Sequence, residues 1–150
     1  MNIDEIFDLL RWDKPEIMQQ KGITAAREIQ NFYILIRPGC NIHIWDNCAI
    51  VVSEKNDMEL YPYIIMLLEW IRDLTWPGAD IILERLKNMD ADLLEAPVYC
   101  SARDALALQY ESWLRNLMEL CDKNEGLKQK MDPDLYQKIV HFLEEMDKDE

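Results

Sequence analysis

Glycine and proline are scarce in this chain, four and six among 150 residues. So few breakers exclude a low-complexity or linker-like composition, and no composition shift divides the chain. Its length suits one domain, residues 1–150, with a substantial core. No Gly-rich phosphate loop, Walker motif or G-x-S-x-G elbow occurs. Histidine is scarcer still: His43 and His141 alone leave little for chemistry that needs an imidazole base. Cys40, Cys48, Cys100 and Cys121 are scattered, with no C-x-x-C pair, so they read as reduced thiols and not as a disulfide framework or a zinc site. Cys40-x-x-His43 lacks third and fourth ligands nearby and reads as two unrelated residues beside a turn.

Positive charge is also in short supply. Sixteen Lys and Arg stand against 29 Asp and Glu, a net charge of −13. Such a surface repels nucleic-acid phosphate and anionic membranes, so neither is expected as a partner. Long apolar runs are missing as well. Ile64-Ile65-Met66-Leu67-Leu68 is too short to span a bilayer. Met1-Asn2-Ile3-Asp4-Glu5 is not a basic stretch leading into an apolar one, and the expected location is the cytoplasm.

What the chain does carry is helical spacing of apolar residues. Asn2 and Glu5 form a capping-box pattern before the stripe Ile3, Ile6, Phe7, Leu10. Asp13 and Pro15 open a second helix that Gly22 would end, and a third is expected from Thr24 to Ile36, stopped by Pro38-Gly39. Phe32–Val52 reads either as helices or as a hairpin about its Pro-Gly turn, with helix favoured by the spacing of Trp45, Cys48, Ala49 and Val52. With Asp57 as cap, Met58–Leu74 predicts one long helix, and Pro77 starts the next. Asp90–Ser101, which contains Pro97, reads as the loosest region. Helices are then expected from Ser101 to Leu120 and from Asp132-Pro133 onward, with a frayed acidic end.

Five tryptophans stand out. Trp70-Ile71-Arg72-Asp73-Leu74 is echoed by Trp113-Leu114-Arg115-Asn116-Leu117, at a separation within the period of about 40–47 residues of HEAT and armadillo repeats. The expected fold is therefore all-α: a HEAT-like or armadillo-like stack of antiparallel helix pairs. Trp70, Trp76 and Trp113 are expected in its core. Most methionines fall within amphipathic stripes and read as core filling.

The run Trp45-Asp46-Asn47-Cys48-Ala49, Tyr61-Pro62, Leu67-Leu68-Glu69-Trp70, Asp73 and Trp76-Pro77-x-Ala79 resembles a bacterial domain-of-unknown-function family. That family has an L-L-E-W-[IL]-x-D-x-x-W-P-x-A signature. The match covers roughly Ile44 to Met89, and Thr75 and Gly78 stand where the signature has Asn and Val. The resemblance implies a short HEAT-like domain. It also implies kinship with immunity proteins of contact-dependent or polymorphic toxin systems, and it supplies no catalytic residues.

Carboxylate pairs such as Glu69 with Asp73 and Asp80 with Glu84 share helix faces. They read as solvated surface and not as a metal site, since no Glu-x-x-His accompanies them. The expected function is a non-enzymatic protein-binding module without cofactor or metal. Most concretely it is an immunity protein occluding the basic active site of a toxin; an adaptor or scaffold in a larger assembly is the alternative. Glu69, Asp73 and Asp80 are the candidate partner-binding carboxylates, and Trp12 and Trp45, less constrained by a stripe than the other tryptophans, the candidate apolar anchors.

Overall fold

The computed structural model describes residues 1–39 and 41–149, and among them every regular element is helical. The possible hairpin in Phe32–Val52 does not form. Two 3-10 turns, Phe32–Leu35 and Ile42–Ile44, lead into a helix there. Cys40, with its C-x-x-H pattern, lies outside the described residues.

The chain begins with α1 (Ile3–Leu9), capped by Asn2 as its sequence predicts, and α2 (Glu16–Ala26). α2 runs straight through Gly22, contrary to the expected stop there, and no helix spans Thr24–Ile36. Gly22 is buried because α1 crosses it: a Cβ at this position would lie 2.9 Å from Leu9 Cβ. Its glycine serves close helix packing, not termination.

α3 (Trp45–Ser53) follows. The expected long helix Met58–Leu74 is instead α4 (Asp57–Leu60), a 3-10 turn at Tyr61–Tyr63, and α5 (Ile64–Trp70). Pro62 supplies no amide to the ladder, and the chain tightens into the 3-10 turn at that point. Asn56, not Asp57, is the N-cap, in a reciprocal capping box with Glu59. Nor does Pro77 open the next helix. Gly78 caps it at φ +81°, and α6 spans Ala79–Lys87.

The largest departure is α7 (Ala91–Ala107), which occupies the segment expected to be loosest and holds Pro97 in its interior. Ala91, Leu94, Val98, Ala102 and Ala105 form a continuous buried stripe, and Asp90 caps the first turn by accepting from the Asp92 amide. Packing of that stripe outweighs the hydrogen bond that proline forgoes. The chain then turns at Gln109, φ +53°, so the expected Ser101–Leu120 helix is divided. α8 (Glu111–Lys123), α9 (Leu127–Lys130) and α10 (Pro133–Lys148) complete the fold. α10 is helical through Lys148, with Asp147 2.6 Å from Arg115.

α3 packs against α6 and α6 against α8, while α5 packs against α7; α5 also meets α6, and α7 meets α8. One row of helices thus backs a second. Trp70 closes α5 whereas Trp113 lies in the first turn of α8, so the two copies of the tryptophan pattern occupy different places in the helix pairs. Both indoles are buried, as expected. The methionines divide: Met89, Met118 and Met131 are core, while Met58 is exposed.

Helix ends are closed by side chains from other elements. Asn47 Nδ2 donates to Leu10 O beyond α1 at 2.8 Å, Asn116 Nδ2 to Ile71 O beyond α5 at 2.7 Å, and Trp113 Nε1 to Leu68 O at 3.0 Å. These carbonyls have no partner within their own helices, and the donors tie one row to the other.

Candidate functional site

Asp80, Ile81 and Glu84 lie on the outer side of α6. Ser53 at the end of α3, Leu74 in the turn before α6, and Glu119 on α8 close a depression of about 690 Å³ around them. Leu74 is 40% exposed and, with Ile81, gives the depression an apolar patch. Carboxylates rim it. Lys87 Nζ bridges Glu84 at 2.9 Å and Glu119 at 3.2 Å, joining α6 to α8. The hydrogen bond that Lys87 donates to Glu84, reinforced by Glu119, raises the Lys87 ammonium above its ordinary range.

Arg85 also lines the depression, but its guanidinium is directed at Asp57, 2.6 Å away, and Lys55 O, 2.9 Å away. Asp80 is exposed and, among the described residues, has no cation within ion-pair distance. Glu84 and Glu119 therefore share one committed ammonium while Asp80 stands without one, and the local field is negative. An apolar patch ringed by carboxylates can bury an aliphatic stem while receiving a cationic head.

Of the five residues singled out in the sequence, only Asp80 lines this depression. Trp45, Glu69 and Asp73 gather elsewhere, around Trp76. Trp45 is half-buried, its Nε1 donates to Pro38 O at 2.8 Å, and its ring meets Trp70 and Trp76 edge-on at 6.1 and 6.2 Å. Arg37 stands 5.6 Å over the Trp76 ring and 3.0 Å from Glu69. Arg37 itself has φ +44°, in the left-handed region. Asp73 accepts from the Thr75 amide and hydroxyl at 2.8 and 2.7 Å, and this turn holds its carboxyl below the usual range. Trp12 lies apart, 44% exposed and tilted against His43 at 4.8 Å.

Glu119 and Leu74 were not legible as partners of Asp80, because α6 and α8 meet only in the folded chain. The acidic residues at i and i+4 on α6 gave the one local signal. Burial pushes the Cys121 thiol up to about 12. Among the described residues, no group of three or more His, Cys, Asp or Glu is placed to hold a metal ion, and no helix is long and apolar enough to cross a membrane. Comparison of the chain with protein-family models, with curated proteins and with solved structures gives no match.

Proposed function

We propose that the chain is a non-enzymatic, cytoplasmic protein-binding module that grips a basic partner through the depression between α6 and α8. On this reading the helix pairs α5–α6 and α7–α8 are successive units of a HEAT-like stack. The order of contacts supports this, with α6 beside α8 in one row and α5 beside α7 in the other. The partner we propose is a bacterial toxin domain whose cationic active site is covered by the acidic face, which makes the chain an immunity protein.

One observation carries the reading. Asp80, Glu84 and Glu119 surround an exposed apolar patch with one cation between them, in a chain of net charge −13. Such a field accelerates encounter with a cationic surface and rejects an acidic one.

The test is capture of the stoichiometric partner by the tagged chain from its native cell, followed by stopped-flow association. A basic toxin domain is expected, with an association rate that falls as salt rises. The double variant Asp80→Lys/Glu119→Lys should slow association and abolish protection of cells from the toxin while the protein stays folded, its melting temperature falling only slightly through loss of the exposed Lys87–Glu119 bridge. A stoichiometric partner that is acidic, or a rate indifferent to salt and to charge reversal, would sink the proposal.

A further inference from the structure

A second cavity, of about 340 Å³, opens between α5 and α7. Ile65, Glu69 and Arg72 line it from the α5 side, and Cys100, Ser101, Asp104, Ala107 and Leu108 from the α7 side; Trp113 of α8 closes it. Its rim is apolar and open: Ile65 is 42% and Leu108 65% exposed. The size is that of a small-ligand site, and the mixture of apolar wall and a few charged groups is what such sites use to orient a ligand.

The charges in this pocket do not cancel locally. Glu69 is held by Arg37 at 3.0 Å, and Asp104 stands 3.8 Å from Arg103. Arg72 is the group left over. Its guanidinium carbon lies 4.4 Å over the centroid of the Trp113 ring, a cation–π contact that restrains the group. Its Nε is buried without a hydrogen-bond partner, and among the described residues no carboxylate lies within ion-pair distance of it. Arg37 shows the same local surplus of positive charge. Burial, with the Arg72 charge adding to it against the pull of Glu69, lowers its guanidinium below the ordinary range. With Nε sealed off, the Nη groups of Arg72 are the donors left for a ligand.

A planar, pre-oriented guanidinium with free paired donors matches a carboxylate. Glu69 and Asp104 on the same walls disfavour a dianion such as phosphate. Ile65, Ala107 and Leu108 ask for an apolar body beside the charge. We propose that this pocket binds a monocarboxylate bearing a compact aliphatic group, with its carboxylate on Arg72 and its apolar part against Ile65 and Leu108. The site is separate from the acidic depression between α6 and α8, and its occupancy does not depend on the partner proposed there.

The experiment titrates 4-methylpentanoate, and in parallel its neutral amide, into the full-length nitrogen-15-labelled protein. The Arg72 Nε–H and Trp113 Nε1–H resonances are the readouts. The acid should shift both saturably, while the amide leaves Arg72 unmoved. Arg72→Lys keeps the charge but not the fork, and should weaken binding by roughly tenfold or more, as loss of one charge-assisted hydrogen bond does. Leu108→Glu, at an exposed rim position that folding does not need, should weaken it too and guards against a misfolded Arg72 variant. A short peptide ending in leucine with a free carboxylate identifies the source. Displacement of the acid by this peptide, but not by its amidated form, means a chain terminus; failure to displace means a free small acid; both support the site. Equal shifts from acid and amide, or unchanged affinity in both variants, would overturn it.

Discussion

The side-chain nitrogen of Asn124 lies 2.7 Å from the main-chain oxygen of Met89. The same Nδ2 also donates to Leu86 O at 3.1 Å and Lys87 O at 3.0 Å. One amide at the end of α8 thereby closes the end of α6, and Asn124 is only 5% exposed. Its Oδ1 has no partner among the described residues, so truncation loses only the nitrogen side. Asn124→Ala should cost about 1–3 kcal/mol, because buried carbonyls lose their donor. Asn124→Asp should cost more at neutral pH, where a carboxylate would face three oxygens, and recover in part on acidification. Urea unfolding at pH 7 and pH 4 checks both; an Asp variant as stable as Ala at pH 7 would contradict the geometry.

Trp70 and Trp113 are 0% and 2% exposed, and each indole donates to a main-chain oxygen, Pro77 O and Leu68 O respectively, at 3.0 Å. Replacement of either by Ala should destabilise the fold by about 3–5 kcal/mol. Phe in their place keeps most of the packing and should lose about 1–2 kcal/mol with the hydrogen bond. Equal losses for Phe and Ala in thermal melts would mean that the indole N–H matters more than the ring.

Gly78 permits the entry to α6. At φ +81° a side chain is strained, and a Cβ would lie 2.7 Å from Ala49 Cβ and 2.8 Å from Trp45 O. Gly78→Ala should cost about 1–3 kcal/mol from the backbone conformation alone, with the clash against α3 in addition. A melting temperature equal to that of the parent would show that α3 and α6 can part at no expense.

Asp57 couples α4 to two later elements, Arg85 at 2.6 Å and the Asp90 amide at 3.1 Å. Burial alone would raise its carboxyl, but Arg85 and the amide outweigh it, and the folded value lies below the ordinary range. Unfolded aspartate titrates near about 3.9. The stabilisation is therefore complete above that pH and is lost as pH falls through the lower folded value. Asp57→Asn should cost about 1 kcal/mol at pH 7, a figure kept small by partial exposure. The gap between parent and variant should close in strong acid. A gap independent of pH from 7 to 2 would rule out the ion pair as its source.

The helical class was legible in the chain because apolar periodicity and capping act within a turn or two. Asn2 and Asp132 cap the helices their neighbours predict, and Trp70 and Trp113 are buried as their stripes require. Gly22 and Pro97 misled for the opposite reason. Both are local breakers, yet their conformations are set by tertiary packing: the crossing of α1 over Gly22, and the buried stripe that carries α7 through Pro97. Asp80 could be named from the acidic face of one helix. Its grouping with Glu119, the pairing of Arg37 with Glu69, and the unspent charge of Arg72 join residues far apart in sequence. No periodicity encodes such meetings. They follow from which helix faces remain uncovered once the core has buried the others, a choice made by the whole chain at once.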